Sequence, residues 1–230
     1  MFYFDPLFLL FSLPALLFAL FAQWRVKSAY DKYTQVANER GITGLQAARQ
    51  LIYANGLGIN VEGAEGQLTD HYDPRSKTMR LSAGVANAPS VASLGIVAHE
   101  LGHALQDQQG YFLLKARGAI VPAVNIGSSL GPILFFVGLL LNFTSLAWLG
   151  VGLFALSFAF ALVTLPVELD ASARALKMLQ TNNLVSRFEY DGVKAVLTAA
   201  ALTYVAAVAQ ALSQLLYYVY ILSGRSRNDD

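Results

Sequence analysis

The stretch IVAHELGHALQ, residues 96–106, holds two of the chain's three histidines, four positions apart, with Glu100 directly after the first. On an α-helix four residues turn through about 40° more than one full turn, so His99 and His103 share a face, one turn apart, and can grip one ion. Two neutral imidazoles suit Zn²⁺. Glu100 projects beside them, placed to take a proton from a water activated at the metal without being a ligand itself. The metal then supplies the electrophile and lowers the pKa of the water, and Glu100 is the base. The competing reading makes both histidines ordinary core residues and Glu100 a surface acid. That reading would require partners of its own for a carboxylate set between Ala98 and Leu101, because burying it unpaired costs several kcal/mol. The motif sits in a helix of small and apolar residues predicted over about 90–108, after the break NAPS (87–90).

The chain around this helix is 55% hydrophobic and only 13% charged, the profile of an integral membrane protein. Four stretches, about 6–22, 118–141, 145–165 and 195–222, reach the roughly 20 apolar residues that a bilayer crossing needs. The first, PLFLLFSLPALLFALFA, has no positive residue before it and is followed by Arg25 and Lys27, the reverse of a secretory signal. It reads as a retained anchor with its N-terminus outside. Four crossings put the polar blocks 23–117 and 166–194 on one side, and residues 1–5, the turn LNFTS (141–145) and 223–230 on the other. The first side carries ten and four Lys and Arg, the second only Arg225 and Arg227, so both polar blocks are expected in the cytoplasm.

Composition also excludes chemistry. With no cysteine there is no disulfide, thiolate ligand or cysteine nucleophile, and any metal must be held by His and carboxylates. A net charge of +1 supplies no basic field for nucleic acid. The spans carry almost no charge, which argues against a transporter. The Ala-rich run 197–214 is expected to pack on neighbouring helices with Gln210 and Gln214 bonding across, and Tyr217, Tyr218 and Tyr220 to form an interfacial belt.

In the larger polar block, residues 28–40 read as a polar helix leaving the membrane, and 43–57 as a helix capped by Thr43 and stopped at Gly56. GQLTDHYDPRSKTMRLS (66–82) reads as a β-hairpin around DPRSK. Its edge could align an extended substrate, with His71 or Tyr72 stabilising an oxyanion. The alternative is an ordinary turn capped by Asp70 and Asp73.

A catalytic zinc needs a third protein ligand and an open fourth position. The acids left are Asp107, Glu168, Asp170, Glu189, Asp191 and the terminal aspartates, beside His71. Asp107 lies a turn beyond His103 on the same helix and cannot easily bend back. PVELDASARAL (166–176) is the better source: Pro166 is expected to end a membrane helix and start the next, leaving Glu168 at the cytoplasmic boundary. A carboxylate there is expensive without a task, and two crossings return the chain to the side of His103. Against this, Glu168 could be a dipole-stabilised carboxylate at a helix N-terminus. Asp170 and Ser172 are both placed to orient the histidines, and the sequence does not choose between them.

These residues, with MFYFDP (1–6), LTDHYDPR (68–75), MRLS (79–82), AHELGHALQ (98–106), VPAVNIGS (121–128) and PVELDAS (166–172), resemble the bacterial YugP-type membrane zinc metallopeptidases along nearly the whole chain. They are also similar to the wider gluzincins, in which E-x-x-A-D follows H-E-x-x-H. Glu168 and Ala171 match that second motif, but Ser172 stands where it has Asp. The resemblance implies a mainly α, multi-pass protein of the bacterial inner membrane. Together with the topology, which puts the polar blocks in the cytoplasm and both termini outside, it makes the chain one membrane-embedded metallopeptidase domain over 1–230 with a small gluzincin-like catalytic region that includes the β-hairpin. It further implies one Zn²⁺ per chain on His99, His103 and Glu168, with Glu100 as catalytic base. The substrate would be a membrane-associated polypeptide, and a membrane protein partner or second copy of the chain is compatible. The rival is a noncatalytic membrane partner or assembly factor that keeps a zinc-binding fold. Glu100 argues against it, because a structural zinc has four protein ligands and no use for a base.

Overall fold

The computed structural model describes residues 6–226, so most of MFYFDP, Arg227 and the terminal aspartates lie outside the described residues. The elements are α1 (Pro6–Thr34), α2 (Gly44–Ala54), β1 (Asn60–Ala64), β2 (His71–Asp73), β3 (Thr78–Ser82), α3 (Ala83–Asn87), α4 (Val91–Gln108), α5 (Phe112–Leu140), α6 (Thr144–Thr181) and α7 (Arg187–Ser226). The protein is mainly helical, and α1, α5, α6 and α7 are long and apolar enough to cross a membrane. The chain forms two compact units. One gathers the residues up to Ala22, Ala116–Leu165 and everything from Thr203 on; the other comprises Gln23–Lys115 and Pro166–Leu202.

In the first unit α5 and α6 meet backbone to backbone. A Cβ at Gly150 would stand 2.5 Å from the Gly131 carbonyl oxygen and 2.5 Å from the Phe135 nitrogen, and one at Gly138 would stand 2.4 Å from the Ala147 nitrogen. Small residues give this approach because lipid supplies no hydrophobic drive between helices, and close packing must do the work. Phe135 stacks on Tyr218 with ring centroids 4.0 Å apart. Tyr218 is therefore a core residue of the bundle, not part of an interfacial belt, because a neighbouring helix offers its ring a flat apolar partner. Of the Ala-rich run, Ser213 donates to the Phe11 carbonyl of α1.

In the second unit α4 is central. Leu94, Val97, Ala98 and Leu101 are fully buried in a cluster with Ala47, Ala48 and Leu51 of α2, Met79 and Leu81 of β3, Leu179 of α6 and Val193 of α7. Thr43 caps α2 with a reciprocal bond to Gln46, and Gly56 follows the helix at φ +60°, as a stop requires. Ser90 caps α4 by accepting from the Ser93 N–H. The hairpin forms as β2 and β3, antiparallel, with His71 opposite Arg80 and Asp73 opposite Thr78. Asp73 accepts from the Arg75 N–H and the Ser76 hydroxyl, and Asp70 from the Ser82 N–H and hydroxyl, so both acids tie the hairpin.

Three further expectations change. A further strand, β1, pairs parallel to β3 from Asn60 opposite Thr78 to Ala64 opposite Ser82. NVEGA gave no alternating signal because an exposed edge strand buries no regular face. The helix expected over 28–40 is the end of α1 and stops at Thr34, because the chain beyond it pairs elsewhere: the Asn38 N–H donates to the Pro89 carbonyl and the Val91 N–H to the Val36 carbonyl, both at 2.9 Å. Pro166 breaks nothing; α6 runs through it to Thr181. Proline removes one intrahelical bond, and a long helix packed on both sides of it survives that loss.

Gly150 and Gly152 test the packing of the first unit, since a Cβ at Gly152 would meet nothing within 4 Å. Gly150→Ala should lower the thermal midpoint of the detergent-solubilised protein, whereas Gly152→Ala should leave it unchanged or raise it by helix propensity worth about 1 kcal/mol. Equal midpoints for the two variants would contradict the backbone contact.

Candidate metal centre

The centre is built where α4 crosses α6. A Cβ at Gly102 would lie 2.4 Å from the carbonyl oxygen of Ala171 and 3.1 Å from its Cα, so the two backbones touch there. His99 and His103 flank Gly102 on α4, while Glu168 and Ser172 flank Ala171 on α6, and the crossing turns the two pairs toward one another.

The ligand atoms converge. Glu168 Oε2 stands 3.2 Å from His99 Nε2 and 3.4 Å from His103 Nε2, and one ligand atom from each of the three residues lies within 4.8 Å of the others. The rings of His99 and His103 meet edge to face with centroids 4.9 Å apart. Two donors about 2.0–2.1 Å from a tetrahedral zinc are about 3.3 Å apart, so this spacing fits that ion. Two imidazoles and one carboxylate form a three-donor set that leaves a fourth position for reacting groups, as catalytic zinc sites do. Glu168 lies in the interior of α6, so it is not a helix N-terminal carboxylate. Among the described residues these three form the one cluster of this kind.

The outward nitrogens of both imidazoles are also held. His99 Nδ1 meets the Ser172 hydroxyl at 3.2 Å, and His103 Nδ1 meets Gln106 Oε1 at 3.0 Å. The Gln106 amide donates to the Val167 carbonyl and to Asp170 Oδ2, each at 2.8 Å, and Arg174 Nε donates to the same carboxylate oxygen at 2.5 Å. Ser172 and Asp170 thus serve different histidines, Asp170 through an intermediary. Sequence reasoning missed Gln106. Its signal was a polar residue three positions past His103, one turn further along the motif's side of the helix.

Glu100 is buried, and its Oε2 accepts the Tyr72 backbone N–H of β2 at 2.9 Å. Burial pushes its carboxyl pKa up, against the lowering pull of His99 and His103. The Tyr72 hydroxyl donates to Asp107 Oδ2 at 2.8 Å; burial, then this bond, holds the phenol above its ordinary range. His71 is exposed, with its Nδ1 2.8 Å from the Thr69 carbonyl. Of the two hairpin candidates the structure brings Tyr72 to Glu100 by its backbone, and does not bring the His71 ring into the cluster. Asp107 is engaged by Tyr72, and the buried Glu189, in the first turn of α7, accepts from the Ser186 N–H just before that helix and from the Glu39 N–H of the loop after α1.

A helix carrying H-E-x-x-H, with a carboxylate from a second helix completing the donors, is the arrangement of a zinc peptidase. The chain belongs to such a family: residues 8–223 match the one described as "Putative neutral zinc metallopeptidase". It is 43% identical over 224 residues to the "Putative membrane protease YugP" of Bacillus subtilis (strain 168), covering 96% of this chain and 100% of that relative. No solved structure matches it.

The helix crossing makes its own test. Gly102→Ala should force α4 and α6 apart and destabilise the protein by about 1–3 kcal/mol, the usual cost of overpacking. Gly95→Ala, whose Cβ would meet Val193 with the nearest methyl at 3.2 Å and its Cα at 3.8 Å, should cost less. A Gly102→Ala protein with wild-type thermal stability would contradict the close approach.

Proposed function

We propose that this protein is a zinc-dependent endopeptidase of the bacterial inner membrane that cleaves membrane-associated polypeptides at the cytoplasmic face, with the whole chain acting as one membrane-embedded metallopeptidase. The observation that carries this reading is the convergence of His99, His103 and Glu168 on one point, with Glu100 buried beside it and held by the Tyr72 N–H. The family membership supports it, and the excess of Lys and Arg in 23–117 and 166–194 supports the cytoplasmic placement.

His99 and His103 would hold the ion through Nε2 and Glu168 through a carboxylate oxygen. Zinc bound there supplies a Lewis acid for the scissile carbonyl and makes water acidic enough to attack at neutral pH. Glu100 would accept a proton from the attacking water as its oxygen bonds to the carbonyl carbon and return that proton to the departing nitrogen as the C–N bond breaks, so that one water is consumed and a carboxylic acid and an amine are released. Ser172 and Gln106 keep the imidazoles in place, and the Tyr72 N–H keeps Glu100 aimed at the centre.

Glu100→Gln should keep stoichiometric zinc and the fold while activity on a membrane-associated peptide falls by about 10²–10⁴-fold, since the amide cannot accept the proton. Wild-type protein that holds zinc but cleaves no such peptide would favour the noncatalytic partner instead. Glu168→Ala leaves two protein ligands and should release zinc to moderate chelator concentrations; zinc held as tightly as in wild type would mean another residue is the third ligand. The absence of native cysteine makes topology direct to read. In intact cells an impermeant thiol reagent should label Phe143→Cys and spare Tyr53→Cys, and the reverse pattern would overturn the cytoplasmic placement.

A further inference from the structure

We propose that Gln106 is a positioning residue that fixes His103 as the Nδ1–H tautomer, so that the Nε2 lone pair faces Glu168 and the metal position, and that Asp170 and Arg174 hold Gln106 in the orientation this requires. The inference rests on the metal-centre reading and goes beyond its ligand set.

The argument is one of donors and acceptors. Gln106 is completely buried, so each atom of its amide is matched by protein. One end lies 2.8 Å from the Val167 carbonyl and 2.8 Å from Asp170 Oδ2. Both are acceptors, so that end must be the NH₂ group, which has two hydrogens to give. The amide therefore cannot be turned over, and its other end, 3.0 Å from His103 Nδ1, is the oxygen. An amide oxygen only accepts, so His103 Nδ1 carries the hydrogen. A neutral imidazole has one N–H; given to Gln106, it leaves the lone pair on Nε2, where a metal shared with Glu168 Oε2, 3.4 Å away, would take it.

Asp170 is paired with the Arg174 guanidinium, which can only donate. Arg174 is steadied in turn by a 2.5 Å bond from Nη1 to Gln109 Oε1 and by the Tyr111 ring, 5.8 Å from its carbon. The two histidines are not equivalent. His99 Nδ1 meets the Ser172 hydroxyl, which donates or accepts with equal ease and so imposes no tautomer. The acid that the wider gluzincin motif has at the position of Ser172 is thus replaced by one two residues earlier, acting through an amide on the other imidazole.

The test uses full-length protein in detergent with zinc alone, its affinity read by competition with a chromophoric chelator, and ¹⁵N-histidine NMR of the metal-free protein at a pH where the imidazoles are neutral. Gln106→Leu removes the acceptor. Gln106→Glu keeps it but loses both donors and sets a carboxylate against Asp170. Each should weaken zinc binding by about 10- to 100-fold. The double variant Gln106→Glu with Asp170→Asn exchanges donor and acceptor across the same contact and should recover most of the loss, a rescue that simple repair of packing would not produce. In the spectrum of the wild type, the His103 signals, assigned by their loss in His103→Ala, should report the Nδ1–H tautomer and lose that signature in Gln106→Leu, while His71, whose Nδ1 lies 2.8 Å from the Thr69 carbonyl, should report it in both proteins. The proposal is overturned by an Nε2–H tautomer at His103, by Gln106→Leu binding zinc as tightly as wild type, or by a folded double variant that binds no better than Gln106→Glu alone. Because neither readout involves cleavage, a protein that passes both and hydrolyses no peptide would refute the peptidase reading and leave this one standing.

Discussion

The contact of Gly102 with Ala171 sets the scale for the whole centre. Helix axes are usually 8–10 Å apart, and the side chains at the crossing decide where in that range a pair falls. With no side chain on one helix and a methyl on the other, α4 and α6 approach until backbone meets backbone. The distances that run from one helix to the other depend on that closeness. The contacts of His99 and His103 with Glu168, of His99 with Ser172 and of His103 with Gln106 span 3.0–3.4 Å and bridge or brace the same two helices. A separation wider by about an ångström would break hydrogen bonds of this length, whatever residues occupied positions 99, 103 and 168.

The second constraint is the burial of charge. Glu100, His103, Gln106 and Glu168 all lie inside the second unit, where an unmatched polar atom costs kilocalories. Each has a partner, and the partners come from different elements. Tyr72 gives its backbone N–H to Glu100 and its hydroxyl to Asp107, binding the short edge strand β2 along α4 at two points a pair of helical turns apart. The hairpin thus supplies Glu100 with a neutral donor that leaves its charge intact. This explains a segment, LTDHYDPR, whose sequence alone allowed a turn, a substrate-aligning edge or an oxyanion donor.

The first unit is held by different physics. Leu10, Leu17, Phe136 and Leu140 are exposed on its helices, which suits apolar surroundings, and its interior depends on glycines that let α5 and α6 touch. The second unit is an ordinary hydrophobic core around α4, and it is there that polar groups can be buried with their partners.

The sequence by itself determined the elements whose chemistry is local. The four apolar helices, the Thr43 cap, the hairpin around DPRSK and the shared face of His99 and His103 all follow from spacings within one segment, where periodicity and capping act over a few residues. Membrane parity and elimination pointed to Glu168, but its place inside α6 was hidden because Pro166 resembles a helix end until packing on both sides shows that the helix survives it. Tertiary structure alone decided what crosses between segments. The edge strand β1, the pairing of 36–38 with 89–91, the burial of Tyr218 against Phe135, the N–H that Tyr72 gives Glu100 and the division of labour between Ser172 and Asp170 belong to this group. Each depends on which atoms of distant residues come within about 3–4 Å, and that is fixed by how closely helices cross and strands align, quantities no single segment encodes.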